Sequence, residues 1–212
     1  MQEPAKTIEV MIVDDHPVVR FGLQSMLNSQ SQIAVVGTAE SAKDAIQQIP
    51  TLQPDIVLMD LRMPEIEGAF AISEVIRVCP DVKIVVLTNY ESDEDIIGAM
   101  KAGALGYLLK NTPQEEIVFA IEQVYENKRY VPPHIADRIV EALGRETLSL
   151  RELEILGLVA AGMTNKEIAQ RLCISDKTVR NHIASCFLKL DANDRTEAVT
   201  KAIKRGIIRL AK

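Results

Sequence analysis

The chain has 212 residues, room for one or two domains of ordinary size. Its 47% hydrophobic and 25% charged residues give a globular composition. No run of about 18 apolar residues occurs, which excludes a hydrophobic membrane-spanning helix. The polar start, Met1–Thr7, leads directly into a strand-like run, without the basic start and apolar core of a secretory leader, so a cytoplasmic location is expected. The three cysteines, Cys79, Cys173 and Cys186, are odd in number and lack CxxC spacing, and are expected as reduced, mostly buried thiols. The net charge of −6 hides an asymmetry. Residues 1–128 carry 9 Lys/Arg against 20 Asp/Glu, whereas residues 146–212 carry 12 against 8. Two domains with different partners are implied, and the basic one is suited to phosphate.

Strand and helix patterns alternate through the first half. Strands are predicted at Ile8–Val13, Ile33–Thr38, Ile56–Met59, Lys83–Leu87 and Gly106–Leu109. Helices are predicted at His16–Leu27, Ser41–Ile49, Ala69–Val78, Glu91–Ala102 and Pro113–Tyr125, with a Pro64/Gly68 loop after the third strand. Five near-continuous apolar strands between amphipathic helices predict a flavodoxin-like α/β domain over 1–128, with a five-stranded parallel sheet covered on both faces. Residues 129–145 read as a linker: Arg129–Pro133 breaks the preceding helix, and Ile135–Leu143 has the spacing of a short one. From 146 to 212 the pattern is purely helical, with helices predicted at Ser149–Ala161, Asn165–Leu172, Asp176–Leu190 and Thr196–Arg205, and Gly162 and Gly206 as stops. The three-residue turn Cys173–Ser175 between the second and third of these gives an all-α, four-helix domain with a helix-turn-helix layout.

Ligands of an open parallel sheet bind beyond the carboxyl ends of its strands. Asp14 and Asp15 follow the first predicted strand, Asp60 the third, Thr88 the fourth and Lys110 the fifth. Three crowded carboxylates repel one another and call for a hard divalent cation with oxygen ligands, Mg²⁺ above all. A carboxylate beside such an ion can attack a phosphoryl group and become an aspartyl phosphate. The metal, the Lys110 ammonium and the Thr88 hydroxyl would neutralise the phosphoryl oxygens. Each residue also has a plainer reading: Asp15 as a helix cap, Asp60 as a turn former, Lys110 as a solvated charge. Five at one sheet edge favour the functional one.

In the basic third, Ile168, Ala169, Leu172, Ile174, Val179 and Ile183 are spaced to pack two helices together. That leaves Lys177, Thr178, Arg180 and Asn181 on the outer side of the second. Arginine can bond guanine O6 and N7 in the major groove, and asparagine adenine. Lys177 and Thr178 are placed for phosphates, and Thr164, Asn165 and Lys166, opening the preceding helix, for the backbone. His182 lies beside this set, with packing or a phosphate bond as its two readings. Lys189 is either a DNA contact or a solvated helix-face charge.

The pieces Val13-Asp14-Asp15-His16-Pro17, Leu58-Met59-Asp60-Leu61-Arg62-Met63-Pro64, Val86-Leu87-Thr88 and Gly106-Tyr107-Leu108-Leu109-Lys110 resemble those of response-regulator receiver domains. Leu150–Leu156, Gly162–Ala169 and Thr178–Ile183 resemble the LuxR-type helix-turn-helix signature, and the combination resembles the NarL/FixJ subfamily over nearly the whole chain. The resemblance implies a transcription regulator rather than an enzyme, with Asp60 the phospho-acceptor. It implies direct Mg²⁺ ligation by Asp15, Asp60 and the Arg62 carbonyl, with Asp14 acting largely through water. It further implies phosphoryl binding by Thr88 and Lys110, with Tyr107 as an aromatic switch whose rotamer follows Thr88. The implied partners are a sensor histidine kinase, double-stranded DNA, a second copy of the chain on phosphorylation, and RNA polymerase. The chain departs from common family members at Asn111, where many carry a proline after the lysine, at Asn89, where a smaller residue is usual, and at Ala184, where some carry a basic or polar residue. Arg62 and Tyr90 border the phosphoryl site in the family.

Two other functions fit parts of the pattern. A haloacid-dehalogenase-like phosphohydrolase shares the aspartyl-phosphate chemistry, but it needs a second Asp where Arg62 stands. A regulator that binds DNA without phosphorylation is the nearer alternative, and Asn89 and Asn111 leave room for it.

Overall fold

A computed structural model describes residues 7–63 and 68–208. Met1–Lys6 and the Pro64 of the expected loop lie outside the described residues. The chain divides into two compact units: one is drawn from residues up to Glu91 and from Asp95–Asp137, the other from Ser92–Glu94 and from Arg138 onward.

In the first unit, β1 (Ile8–Val13), β2 (Ile33–Ala39), β3 (Ile56–Met59), β4 (Lys83–Thr88) and β5 (Gly106–Leu109) form one sheet in the order β2-β1-β3-β4-β5, parallel throughout. The helices are α1 (Pro17–Asn28), α2 (Ala42–Leu52), α3 (Gly68–Val78), α4 (Asp93–Lys101) and α5 (Gln114–Tyr125). All four residues of β3 are buried, as the central strand of a sheet covered on both faces must be. Val10, Ile12, Leu58, Val85 and Leu108 meet Ile117, Ile121 and Val124 of α5 in one core. α2 buries Ala42, Ala45 and Ile49 along one face. It runs past the expected end at Ile49, through Pro50, and stops at Gln53 in the left-handed region (φ 48°).

The strands end in register, which positions everything that follows. Val13 pairs with Met59, Met59 with Val86, and Thr88 with Leu109. The ladder continues one residue further, with Asp60 N–H donating to the Val13 carbonyl at 2.9 Å and Lys110 N–H to the Thr88 carbonyl at 2.8 Å. Asp14, Asp60 and Lys110 therefore leave the sheet at one edge. Beyond α5, Tyr130, within the stretch expected as a linker, forms a bridge to Gly106 of β5. Its carbonyl accepts from Tyr107 N–H at 3.1 Å and its N–H donates to Leu105 at 2.9 Å. α6 (Pro133–Leu143) follows.

The second unit holds α7 (Leu150–Ala160), α8 (Asn165–Arg171), α9 (Asp176–Leu190) and α10 (Arg195–Lys204). Each begins with a side-chain cap, from Ser149, Thr164, Ser175 and Asp194, which accepts one of the backbone N–H groups a helix start leaves free. Gly162 follows α7 at φ 82°, a conformation that suits a residue without Cβ. Ile155, Leu156, Val159, Ile168, Val179, Cys186, Leu190, Ala198 and Ala202 make the core, with Leu172, Ile174 and Ile183 packed against it. The expectation of mostly buried thiols is corrected: only Cys186 is buried, Cys79 is half-buried, and Cys173 is exposed in the turn between α8 and α9. No helix among the described residues is long and apolar enough to cross a membrane.

Candidate functional site

The edge of the sheet gathers the five predicted groups. Asp14 and Asp60 are almost fully buried at 2% and 4% exposure, and Thr88 is completely so. Thr88 Oγ1 donates to Asp60 Oδ1 at 2.7 Å. Lys110 Nζ lies 2.6 Å from Asp60 Oδ2 and 2.6 Å from Asp14 Oδ2. Burial opposes the charge on Lys110, yet its bonds to Asp14 and Asp60 outweigh that and hold its pKa above the ordinary lysine value. The Lys110–Asn111 peptide bond is trans, as are all others among the described residues.

Asp15 does not cap α1, which starts on His16 without a side-chain cap and with Pro17 in its first turn. Asp14 instead accepts from His16 N–H at 2.9 Å. Ligand atoms of Asp14, Asp15, His16 and Asp60 all fall within 4.8 Å of one another. Asp15 Oδ1 is buried and accepts no hydrogen bond, although His16 Nδ1 lies 2.7 Å away. An orphaned carboxylate oxygen among acids that outnumber their single lysine is what a hard divalent cation fits.

Tyr107 is fully buried, and its hydroxyl donates to the Tyr90 carbonyl at 2.7 Å. Arg62, two residues beyond Asp60, stacks its guanidinium 3.6 Å from the Tyr90 ring centroid and pairs with Asp95 at 3.0 Å. Its N–H points to Asp60 Oδ1 at 3.4 Å, a weak contact. Asn89 is exposed.

In the second unit, α9 presents one exposed stripe: Lys177, Arg180, Asn181, Ala184 and Leu188. Thr178 is half-buried, its N–H held by Ser175 Oγ at 3.0 Å. Lys166 and Thr164 are exposed at the start of α8, where Thr164 Oγ1 is 2.8 Å from Glu167 Oε2. Asn165 Oδ1 accepts from Arg195 at 3.2 Å, and His182 is half-buried. Lys189 Nζ sits 2.9 Å from Glu152 Oε2 and donates to the Thr147 carbonyl at 3.1 Å.

Sequence reasoning overlooked Glu152. It is buried, and it accepts from Ser185 Oγ at 2.6 Å and from Ser149 N–H at 2.7 Å besides Lys189. Burial pushes its carboxyl up, but the donors of Ser185, Lys189 and Ser149 outweigh that and bring its pKa down to about 2. The signal was present as Ser149 followed three residues later by Glu152, the spacing of a reciprocal helix-start cap, and Thr164 with Glu167 repeats it.

The response regulator receiver domain matches residues 10–122, and the luxR family of bacterial regulatory proteins matches residues 146–202. Response regulator protein VraR of Staphylococcus saprophyticus is 38% identical over 206 residues, covering 95% of this chain and 99% of that protein. Transcriptional regulatory protein LiaR of Bacillus subtilis is 38% identical over 209 residues with the same coverage. Among solved structures, RcsB of Salmonella typhimurium superposes with a TM-score of 0.77 at 27% identity, over 92% of this chain and 98% of that one. RcsB in a complex with DNA gives 0.74 at 27% identity, over 94% and 99%. The chain belongs to the two-component response regulators of the NarL/FixJ subfamily, with a receiver domain followed by a LuxR-type DNA-binding domain.

Proposed function

We propose that Asp60 is the phospho-acceptor of a cytoplasmic transcription regulator, that a sensor histidine kinase supplies the phosphoryl group, and that the phosphorylated chain forms a homodimer on double-stranded DNA. RNA polymerase is the further partner such a regulator would meet. The observation that carries the reading is the convergence on Asp60 of Thr88, at 2.7 Å, and Lys110, at 2.6 Å, beside two further carboxylates.

In the reaction, an Asp60 carboxylate oxygen attacks the phosphorus of the donor, the bond to the donor's nitrogen or oxygen breaks, and an acyl phosphate forms on Asp60. Lys110 moves from the carboxylate to a phosphoryl oxygen, and the Thr88 hydroxyl turns to another. Tyr107, whose strand neighbours Thr88, then registers where that hydroxyl points. Asp14, Asp15, Asp60 and the Arg62 carbonyl would hold Mg²⁺, which when bound supplies positive charge to the developing phosphoryl oxygens.

On DNA, Arg180 and Asn181 are the base readers on the exposed face of α9, Lys177 and Thr178 meet phosphates at its start, and Thr164, Asn165 and Lys166 approach the backbone from α8. His182 borders this set, whereas Lys189, expected from sequence as a DNA contact or a solvated charge, is held by Glu152 and lies outside it.

The test is labelling with acetyl phosphate followed by intact-mass measurement. The wild type should gain one phosphoryl group, and Asp60→Asn or excess chelator should abolish the gain. Labelling at full rate in either case would remove Asp60 and the divalent ion from the reading.

A further inference from the structure

Arg180 on the exposed face of α9 is already held by another residue. Its guanidinium pairs with the Asp176 carboxylate, one helical turn earlier, at 2.7 Å. Asp176 is the first residue of α9, in the turn whose Ser175 cap binds Thr178 N–H. An acid suits a helix start in an isolated protein. It is the wrong charge for a helix start that approaches phosphate, since like charges brought together oppose association. The Arg180 and Asp176 side chains are 65% and 36% exposed, and ion pairs this open add little to folding stability. The helix dipole accounts for an acid at this position, but not for its pairing with Arg180, which adds little to stability and removes charge from a face that approaches phosphate.

We propose that Asp176 is a specificity-determining residue, whose carboxylate holds the Arg180 guanidinium in a base-reading posture and keeps it off the phosphates. The inference rests on α9 being the DNA-reading helix. A free arginine on a helix surface reaches many phosphate oxygens, and such contacts carry no sequence information. Asp176 can occupy one edge of the Arg180 fork, leaving another for a guanine edge, where two acceptors match its geometry. It also cancels the Arg180 charge locally. In the wild type, then, Arg180 contributes to discrimination and hardly to counterion release. Asp176 touches the base reader rather than the base, and is a positioning residue in that sense.

The test uses the full-length protein with a beryllofluoride phosphoryl mimic, so that the intact chain is the binder. A randomised duplex pool is selected on the wild type, and the enriched duplex and a rejected one become the probes. Asp176→Asn should bind the rejected duplex about threefold or more tightly. It should lose about threefold or more of its discrimination at one base position, and steepen its salt dependence by about one unit as Arg180 turns to a phosphate. Asp176→Glu, which keeps an acid one turn from Arg180, should restore most of the discrimination. In an Arg180→Ala background, Asp176→Asn should no longer change discrimination at that base.

Thermal melting of each variant separates folding from reading. An Asp176→Asn protein that melts like the wild type and keeps its base preference overturns the proposal. So does a loss of discrimination that is just as large without Arg180. If Asp176→Asn lowers the melting temperature and weakens both duplexes equally, the acid serves only the helix, and the proposal falls. A wild type that enriches no duplex refutes the DNA-reading assignment of α9 instead, a distinct result.

Discussion

Asp60 and Glu152 are chemical near-twins in different units of the molecule. Each is a buried carboxylate with a hydroxyl on one oxygen and a lysine on the other: Thr88 at 2.7 Å and Lys110 at 2.6 Å for Asp60, Ser185 at 2.6 Å and Lys189 at 2.9 Å for Glu152. The trio alone therefore does not mark a reactive site. Their charge balance differs. Lys189 has one buried acid to answer, and Ser149 N–H completes the set of donors to Glu152. Lys110 is shared between Asp60 and Asp14, with Asp15 and its orphaned oxygen beside them. The Glu152 cluster is satisfied as it stands and holds α7 to α9. The Asp60 cluster sets three acids against Lys110, with His16 Nδ1 beside Asp14 and Asp15, and a divalent cation would relieve the crowding of its carboxylates.

The largest expected effect separates the twins outright. Asp60→Asn should remove all labelling by acetyl phosphate and leave the protein folded, because it takes one acid out of an overcrowded cluster. Glu152→Gln should label at the wild-type rate and lose about 1–3 kcal/mol of stability, measured by denaturant unfolding, since bonds to a charged group are replaced by weaker ones. A Glu152→Gln protein of unchanged stability would mean its buried bonds do not hold the helices together.

Acid should probe the Glu152 cluster directly. The Glu152 pKa is depressed, from about 4.5 to about 2. A depressed carboxyl adds stability above its unfolded value, and that stability drains away as pH falls through the folded one. Melting should therefore decline progressively between about pH 4.5 and pH 2, and Glu152→Gln should lessen that decline, leaving the share of Glu197, whose bonds to Asn193 and Lys201 also lower its pKa to about 2. An equally steep decline in the variant would assign it to other acids.

A gentler effect tests the excess charge around Asp60. Lys110→Met leaves the acids of the pocket without their ammonium. The rise in melting temperature on adding Mg²⁺ should then exceed that of the wild type, because the ion no longer competes with a lysine and binding to the folded state alone stabilises it. A rise equal to or below the wild type's would show that Lys110 does not compete with the cation.

Legibility from sequence followed the same division. The pocket was readable because a parallel sheet in register delivers whatever follows its strands to one edge, so Asp14, Asp60, Thr88 and Lys110 could be brought together without any knowledge of side-chain directions. The outer face of α9 was readable because 3.6-residue spacing separates Val179 and Ile183 from Lys177, Arg180 and Asn181. The side chains' partners were not readable. Lys189 is on Glu152, Asn165 under Arg195 and Arg180 on Asp176, pairings that depend on rotamers and, for the first two, on how helices distant in sequence approach. The Tyr130 bridge was missed for a similar reason: two prolines after it argued for a linker, while its pairing with β5 depends on where α5 ends in space.

The smallest effect compares two lysines of one helix. Lys177 is exposed at the start of α9, whereas Lys189, near its end, is tied to Glu152. A lysine that neutralises a DNA phosphate releases counterions and adds about 0.9 to the slope of affinity against salt concentration. Lys177→Met should lower that slope by about this amount, weaken all duplexes alike, and leave the melting temperature unchanged. Lys189→Met should lower the melting temperature, because Glu152 stays buried without its cation, and leave the slope nearly as it was. Titrations of both variants at several salt concentrations, each beside a melting curve, decide the matter. A slope that falls by about one unit in Lys189→Met would mean that DNA draws this ammonium away from a buried acid. Pairing with Glu152 would then not suffice to keep a group out of the interface, and charge balance would have to be judged on the complex rather than on the free protein.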